Sequence, residues 1–432
     1  MAGTNDSSAA LSGQRCARCG ACTAVCPVYR ASGGRECYSG RGRNHLLTAW
    51  AGKPPTPVFE DIFATCLLCG RCQTVCPREV DILGEVRRAR ADFSTFYGEH
   101  GYQKFLARKV LAHPGLLGLV RPFGRTFQAL LANRLPEESG LRLQLAMFSP
   151  EPELARPTPA SGWKEAEDLR SLVYFPGCGA SHLYPEVAAA CRRLFAGVGY
   201  QTVVPEGLGC CGLAMDAAGD VATSQRLARK NIAALERYPG RIMISCGSCF
   251  AHLRDYVRVL ADDADWQERA ARLRDRLVEL SQLLDELLPG TFFTGSGDQS
   301  QPIRVFYHDP CHLRFGVEIT REPRSLLRRI PHLELLELPD GPRCCGHGGL
   351  FHLGSPEISA TIRGELAERV LAMAPDAVTS SCSGCLMQWK TAVAAAGKKI
   401  PVLHLAELLL RAYLKAKDPA AHRQSLSSGH HS

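Results

Sequence analysis

Cysteine spacing is the chemistry-bearing feature of this chain. The run Cys16-x-x-Cys19-x-x-Cys22-x-x-x-Cys26-Pro27 is written a second time as Cys66-x-x-Cys69-x-x-Cys72-x-x-x-Cys76-Pro77. That spacing is a ligand pattern for a pair of 4Fe–4S clusters, which move one electron at a time. Three cysteines spaced by two fit a tight loop whose thiolates converge on three corners of one cube. The fourth follows a gap of three and precedes proline, so it swings away to the other cluster. On that rule Cys16, Cys19, Cys22 and Cys76 hold one cluster, while Cys66, Cys69, Cys72 and Cys26 hold the second. Zinc is the alternative, since paired cysteines also bind it. It has no use for a third evenly spaced cysteine or the trailing Cys-Pro.

A second constellation occupies the carboxyl-terminal half and is itself duplicated. The first copy carries Cys178, then Cys210-Cys211-Gly212, then Cys246-x-x-Cys249. The second carries Cys311, then Cys344-Cys345-Gly346, then Cys382-x-x-Cys385. The leading cysteines of the three motifs recur at offsets of 133, 134 and 136 residues, a regularity that marks an internal repeat. Vicinal cysteines suit a single cube poorly, because neighbouring Cβ atoms diverge, but they can bracket a larger, more open iron–sulfur unit. The glycine after each pair allows a close backbone approach or a positive φ. His182, His308, His312 and His347 lie near these motifs, where a ring N–H could bond a cluster sulfur, pack or cap. Of the twenty cysteines only Cys37 and Cys191 fall outside the patterns, and both read as buried or incidental thiols.

The elements that must hold these cysteines are legible in outline. Ser171–Phe175 is a β-branched and aromatic run leading toward Cys178, and Arg241–Ile244 reads as a strand before Cys246. The second copy opens with the corresponding run from Ile303 to Cys311 and closes with the run from Ala377 to Cys382. Strands alternating with helical stretches predict two duplicated α/β modules with ligands at the carboxyl edge of a parallel sheet. They follow a helical amino-terminal domain. The expected boundaries are a two-cluster domain over residues 1–85, and a basic helical connection with a Pro-rich linker over 86–165. The modules follow over 166–300 and 301–414, and a flexible tail over 415–432. In the connection, Arg87, Arg88, Arg90, Lys104, Arg108 and Lys109 read as a solvated face over a core stripe. Leu273, Leu277, Leu280, Leu284 and Leu287 read as one amphipathic helix between the copies.

Composition narrows the classes. The chain has 432 residues and a formal charge of +8, of which two oxidised clusters at roughly −2 each remove about half. No nucleic-acid module accompanies the charge. The first fifteen residues lack an apolar h-region, and no stretch reaches the ~18–20 apolar residues of a membrane span. Twenty cysteines without a secretory signal point to metal ligands in a reducing cytoplasm. Gly346-His-Gly-Gly is not a dinucleotide fingerprint.

The duplicated Cys…Cys-Cys-Gly…Cys-x-x-Cys motif resembles the CCG domains of heterodisulfide reductase subunits and of iron–sulfur subunits of flavin-dependent 2-hydroxyacid dehydrogenases. With the amino-terminal bacterial ferredoxin-type motifs, and Gly40-Arg41-Gly42-Arg43 before His45-Leu46-Leu47, the chain is most similar to the glycolate oxidase iron–sulfur subunit family from about Cys16 to Leu414. That resemblance implies an electron-transfer subunit with no catalytic residue of its own. An FAD-binding sister subunit would oxidise glycolate or D-lactate, and this chain would relay electrons toward quinone or another carrier. It also implies one or two noncubane 4Fe–4S clusters, one per complete copy. Cys178, Cys210, Cys211, Cys246 and Cys249 would hold the first, and Cys311, Cys344, Cys345, Cys382 and Cys385 the second. A cytoplasmic site is expected, with room for a peripheral position at the inner membrane face beside a quinone-linked component. Both copies are complete, which is also similar to the heterodisulfide reductase D type. That alternative would reduce a disulfide at the noncubane clusters.

Overall fold

A computed structural model describes residues 16–51, 53–94, 96–98, 100–131, 145–148, 170–293 and 302–417. The expected Pro-rich linker, most of the Gly/Ser joint before 302 and the tail from 418 lie outside the described residues. The amino-terminal part is helical: α1 (Ala21–Val25), α2 (Pro27–Ala31), α3 (Gly40–Trp50), α4 (Pro57–Ala64), α5 (Arg71–Thr74), α6 (Ile82–Ala91), α7 (Gly101–Ala112) and α8 (Pro114–Leu131). Each cysteine triplet is the loop that launches a short helix. Arg18 and Leu68 take φ of 56° and 52°, and Gly20 and Gly70 both take 81°, so the two loops share one backbone. Positive φ at non-glycine residues is rare and concentrates where a site demands it. Pro27 opens α2, where a missing N–H leaves nothing unpaired. Phe59, Ile62, Phe63 and Val86 form the core beneath these loops.

The carboxyl-terminal part holds two four-stranded parallel sheets. The first contains β1 (Arg170–Phe175), β2 (Tyr200–Val203), β3 (Ile242–Ile244) and β4 (Leu277–Glu279) in the order β2-β1-β3-β4. The second contains β5 (Ile303–Tyr307), β6 (Leu333–Leu336), β7 (Ala377–Ser380) and β8 (Val402–His404) in the order β6-β5-β7-β8. Strand β3 is Ile-Met-Ile and fully buried, as expected of a parallel strand covered on both faces. In each sheet the chain steps outward, then returns across its first strand, so the winding reverses between β1 and β3 and between β5 and β7. Open α/β sheets place ligands at such a reversal, beyond the carboxyl ends of the strands. Both sheets are bound into one apolar core.

Two expectations are corrected. The leucine stripe is not one helix between the copies. Leu273 lies in the last turn of the helix Ala264–Arg274, Leu277 begins β4, and the helix Leu280–Leu287 follows. The turn Asp275-Arg276 interrupts the periodicity, and β4 pairs with β3, completing the first sheet. Nor do the basic residues of the connection form a solvated face throughout. Arg90, Lys104 and Arg108 are buried. Arg90 donates to the carbonyls of Phe63 (2.9 Å), Cys66 (2.7 Å) and Ala217 (2.5 Å). Lys104 donates to the Tyr97 carbonyl at 2.8 Å, and burial lowers its ammonium to about 8. Helix and loop ends in a cysteine-rich fold leave many buried carbonyls, and these cations satisfy them. Among the described residues no helix is long and apolar enough to cross a membrane.

Glu279, fully buried at the end of β4, caps the next helix through Ser281 N at 2.6 Å. Burial nevertheless raises its carboxyl to about 7 from an ordinary 4.5. The folded state therefore holds this proton more tightly than the unfolded chain. That stability is fully present below the unfolded value and is lost as pH rises through the folded one. Denaturant titrations should lose on the order of 3 kcal/mol between about pH 4.5 and 7.5 from this group, with a flatter profile in Glu279→Gln. Parallel profiles for the two proteins would refute the assignment.

Candidate iron–sulfur sites

The repeated cysteines stand at the two winding reversals. Cys178 follows β1 and Cys246 follows β3, where it begins the helix Gly247–Arg254. Cys311 follows β5, and Cys382 follows β7 and begins the helix Ser383–Ala395. The vicinal pairs approach on loops whose glycines take the expected left-handed conformation, φ 92° at Gly212 and 82° at Gly346. Gly177 shares the left-handed backbone, φ 64°, and a Cβ there would also meet Cys249 Sγ at 2.8 Å.

Each loop is clamped from behind by polar side chains that spacing alone did not reveal. Asn231 accepts from Gly209 N and donates to the Cys210 carbonyl, both at 3.0 Å, while Tyr256 Oη donates to the Cys211 carbonyl at 2.7 Å. In the second copy Ser359 Oγ donates to the Gly346 carbonyl at 2.8 Å and is itself held by Gln388. The signal was present but faint: an asparagine on the buried face of the helix Val221–Leu235 needs partners to justify its desolvation.

The sulfurs converge. Cys345 Sγ lies 3.7 Å from Cys385 Sγ, and none of the cysteines is paired in a disulfide. Cys178 donates to Cys210 and Cys311 to Cys344, which together with burial holds both donor thiols well above their ordinary range. Cys344 accepts from Cys311, yet its bond to Cys345 and its burial raise it to about 12. Cys345, beside Cys344 and Cys385, falls to about 5, and Cys210 and Cys382 fall well below the thiol range. A buried set in which sulfurs both donate to and accept from one another is poised to become thiolate ligands, and thiolate is the metal-binding form. The donor chemistry and the buried, glycine-cleared cradle fit an iron–sulfur group.

In the amino-terminal part the sulfurs of the two runs lie close to one another. Cys22, raised first by burial, feels Cys16 and Cys76. Cys26, likewise raised by burial, feels Cys66. Cys72 is pushed up by burial, with Cys66, Cys26 and Cys22 adding to the effect. Cys19 is exposed at the outer edge. Gly40 lies between the two sets, its missing Cβ 3.4 Å from the Cβ atoms of both Cys22 and Cys72.

The four sets also meet one another in a fixed order. Cys69 is raised by burial and then by Cys344 and Cys311, so the second amino-terminal set faces the second CCG-type set. Leu67 packs against Gly348, and Arg71 lies 5.9 Å from the Phe315 ring centre. The second CCG-type set in turn abuts the first, with Cys246 Sγ 4.0 Å from Cys382 Sγ. Ser248 bridges the copies, 3.1 Å from Cys382 Sγ and 3.0 Å from His312 Nδ1. His308 comes within 4.8 Å of the Cys345 and Cys385 sulfurs, while His347 stacks on His352 at 4.3 Å. His182 lines a cavity of about 140 Å³ that opens on Cys178 and Cys210. Cys191 is sealed in the core, where burial pushes its thiol to about 12, and Cys37 packs half-buried beneath the amino-terminal loops.

Comparison with known proteins follows the same division. Residues 12–80 match a family described as a 4Fe-4S dicluster domain, and residues 172–254 and 305–390 each match a cysteine-rich (CCG) domain, which confirms the duplication. The probable glycolate oxidase iron–sulfur subunit of Bacillus subtilis is 30% identical, covering 92% of this chain and 93% of its own length. Lactate utilization protein A of Halalkalibacterium halodurans is 31% identical over 54% of this chain and 94% of its own. The D-type component of the dihydromethanophenazine:CoB–CoM heterodisulfide reductase of Methanosarcina barkeri is 25% identical over 86% of both.

Proposed function

We propose a function from one premise: the chain belongs to the glycolate oxidase iron–sulfur subunit family. It is the iron–sulfur electron-transfer subunit of a 2-hydroxyacid dehydrogenase, an oxidoreductase component rather than a self-sufficient enzyme. Bound iron–sulfur clusters supply one-electron transfer. In our reading Cys16, Cys19, Cys22 and Cys76 hold one 4Fe–4S cluster, and Cys66, Cys69, Cys72 and Cys26 the next. The two five-cysteine sets hold a noncubane cluster each.

The partner is an FAD-binding subunit. There the 2-hydroxyacid loses two electrons and two protons to become the 2-oxoacid, and FAD takes up both to become FADH2. FADH2 gives its electrons singly to this chain and releases its protons to water. The acceptor beyond is a quinone-linked component at the inner membrane face, or another carrier. The observation that carries this reading is the unbroken order of four sulfur sets, with the two CCG-type sets 4.0 Å apart at Cys246 and Cys382. An uninterrupted relay is what a wire needs.

Both CCG copies are complete, which also supports disulfide reduction of the heterodisulfide reductase D type, the weaker reading. Anaerobic capture of the complex from its host separates the two. Glycolate or D-lactate should bleach both the flavin and the brown iron–sulfur absorbance. Captured haem b with no flavin that responds would transfer the assignment to the disulfide-reducing class.

A further inference from the structure

Helix α8 carries an apolar face that the described chain leaves uncovered. Leu116, Leu119, Phe123, Phe127 and Leu130 recur at helical spacing on one side of it, and each is 48–59% exposed. Five large apolar side chains on one face form a patch of the kind that marks an interaction site.

Position gives the patch its meaning. Helix α8 lies against the turn 179–183, which directly follows Cys178. Arg121 of α8 pairs with Glu186 at 2.9 Å, and Gly118 lies against His182. His182 and Leu111, near the end of α7, line the cavity that opens on Cys178 and Cys210. The patch therefore borders the first CCG-type set, at one end of the line of four. The opposite end has another character. Cys19 is exposed there, and Arg41 reaches across to the Arg18 carbonyl at 3.1 Å. Permanent subunit interfaces are apolar, whereas transient electron-transfer encounters are small.

From this we infer that the apolar face of α8 seats the flavin-binding subunit, so that Cys178 and Cys210 face the electron donor and the Cys19 end faces the exchangeable acceptor. The inference rests on the reading above and names the docking surface for it. A lipid surface fits α8 less well. Interfacial helices present a strongly charged polar face, but α8 has two charged residues, Arg121 and Arg125, and Arg121 is spent on Glu186. The helix is also anchored by Phe148, which packs at Gly124.

The test is co-expression of the full chain with its host's FAD-binding 2-hydroxyacid dehydrogenase subunit, comparing wild type, Leu119→Asp, Phe123→Asp/Phe127→Asp and a distant exposed control, Val58→Asp. Wild type and the control should co-elute with the flavoprotein. Leu119→Asp and the double variant should keep full iron and the visible spectrum while binding it roughly tenfold or more weakly. Unchanged affinity in both, with iron intact, overturns the surface and leaves the functional reading standing. The surface is also overturned if the variants keep the flavoprotein but lose co-sedimentation with anionic vesicles, or if their only change is from dimer to monomer. A wild-type chain that binds no FAD subunit brings down the functional reading and the docking surface together.

Discussion

Cys211→Ala and Cys345→Ala should each abolish one CCG-type EPR signal and leave the two proposed ferredoxin-type signals in place. Each variant deletes one donor of five from a set with little access to replacement ligands, since Cys211 is 3% and Cys345 5% exposed. The neighbours Cys344 and Cys385 also draw the Cys345 thiol down to about 5, toward the metal-binding thiolate form. Iron should fall by about four atoms per chain in each variant. The ferredoxin-type ligands lie on separate helical loops, so their signals provide the internal control. Spectra unchanged in both variants would sink the noncubane assignment. The 4.0 Å contact between Cys246 and Cys382 adds a finer expectation: loss of one centre alters the line shape of the other, through removal of magnetic coupling.

The parts of this molecule carried by local patterns were legible before any coordinates. Triplet spacing pointed to the 4Fe–4S dicluster domain that residues 12–80 match, and apolar, β-branched runs leading toward cysteines pointed to β1, β3, β5 and β7. The glycine after each vicinal pair calls for close backbone approach or a positive φ, and Gly212 and Gly346 take the second. What escaped was information held by distant partners. Leu277 and Val278 are both compatible with a helical stripe, and only pairing with Ile242 and Met243 makes them a strand. Arg90 and Lys104 look like surface residues until the carbonyls they satisfy are known. The meeting of Cys69 with Cys344 joins positions far apart in the chain, and the clamp of Asn231 and Tyr256 on Cys210 and Cys211 bridges helices from either side of β3. None of these leaves a periodic trace.

Arg43→Ala should be the most damaging substitution outside the cysteines, and it tests how the amino-terminal site is held. Arg43 is 2% exposed and donates to the carbonyls of Ile62 (3.0 Å), Tyr38 and Thr65. Thr65 immediately precedes Cys66. The Tyr38 carbonyl also accepts from Cys26 Sγ at 3.7 Å, so one guanidinium ties together the backbone on both sides of the second set. Its charge favours the thiolate forms of Cys26 and Cys72 against the burial that raises them. Alanine would strand three buried carbonyls, at about 1–3 kcal/mol each, and leave the thiolates without their buried cation. We expect a loss on the order of 4 kcal/mol in unfolding free energy and a fall of about four iron atoms per chain, with CCG-type signals retained. Arg43→Lys separates the two contributions. An ammonium keeps the charge but lacks the planar fork that reaches several carbonyls, so iron should be partly retained while stability still falls. Full iron and an unchanged denaturation midpoint in Arg43→Ala would show that the cysteine loops hold their geometry without this support.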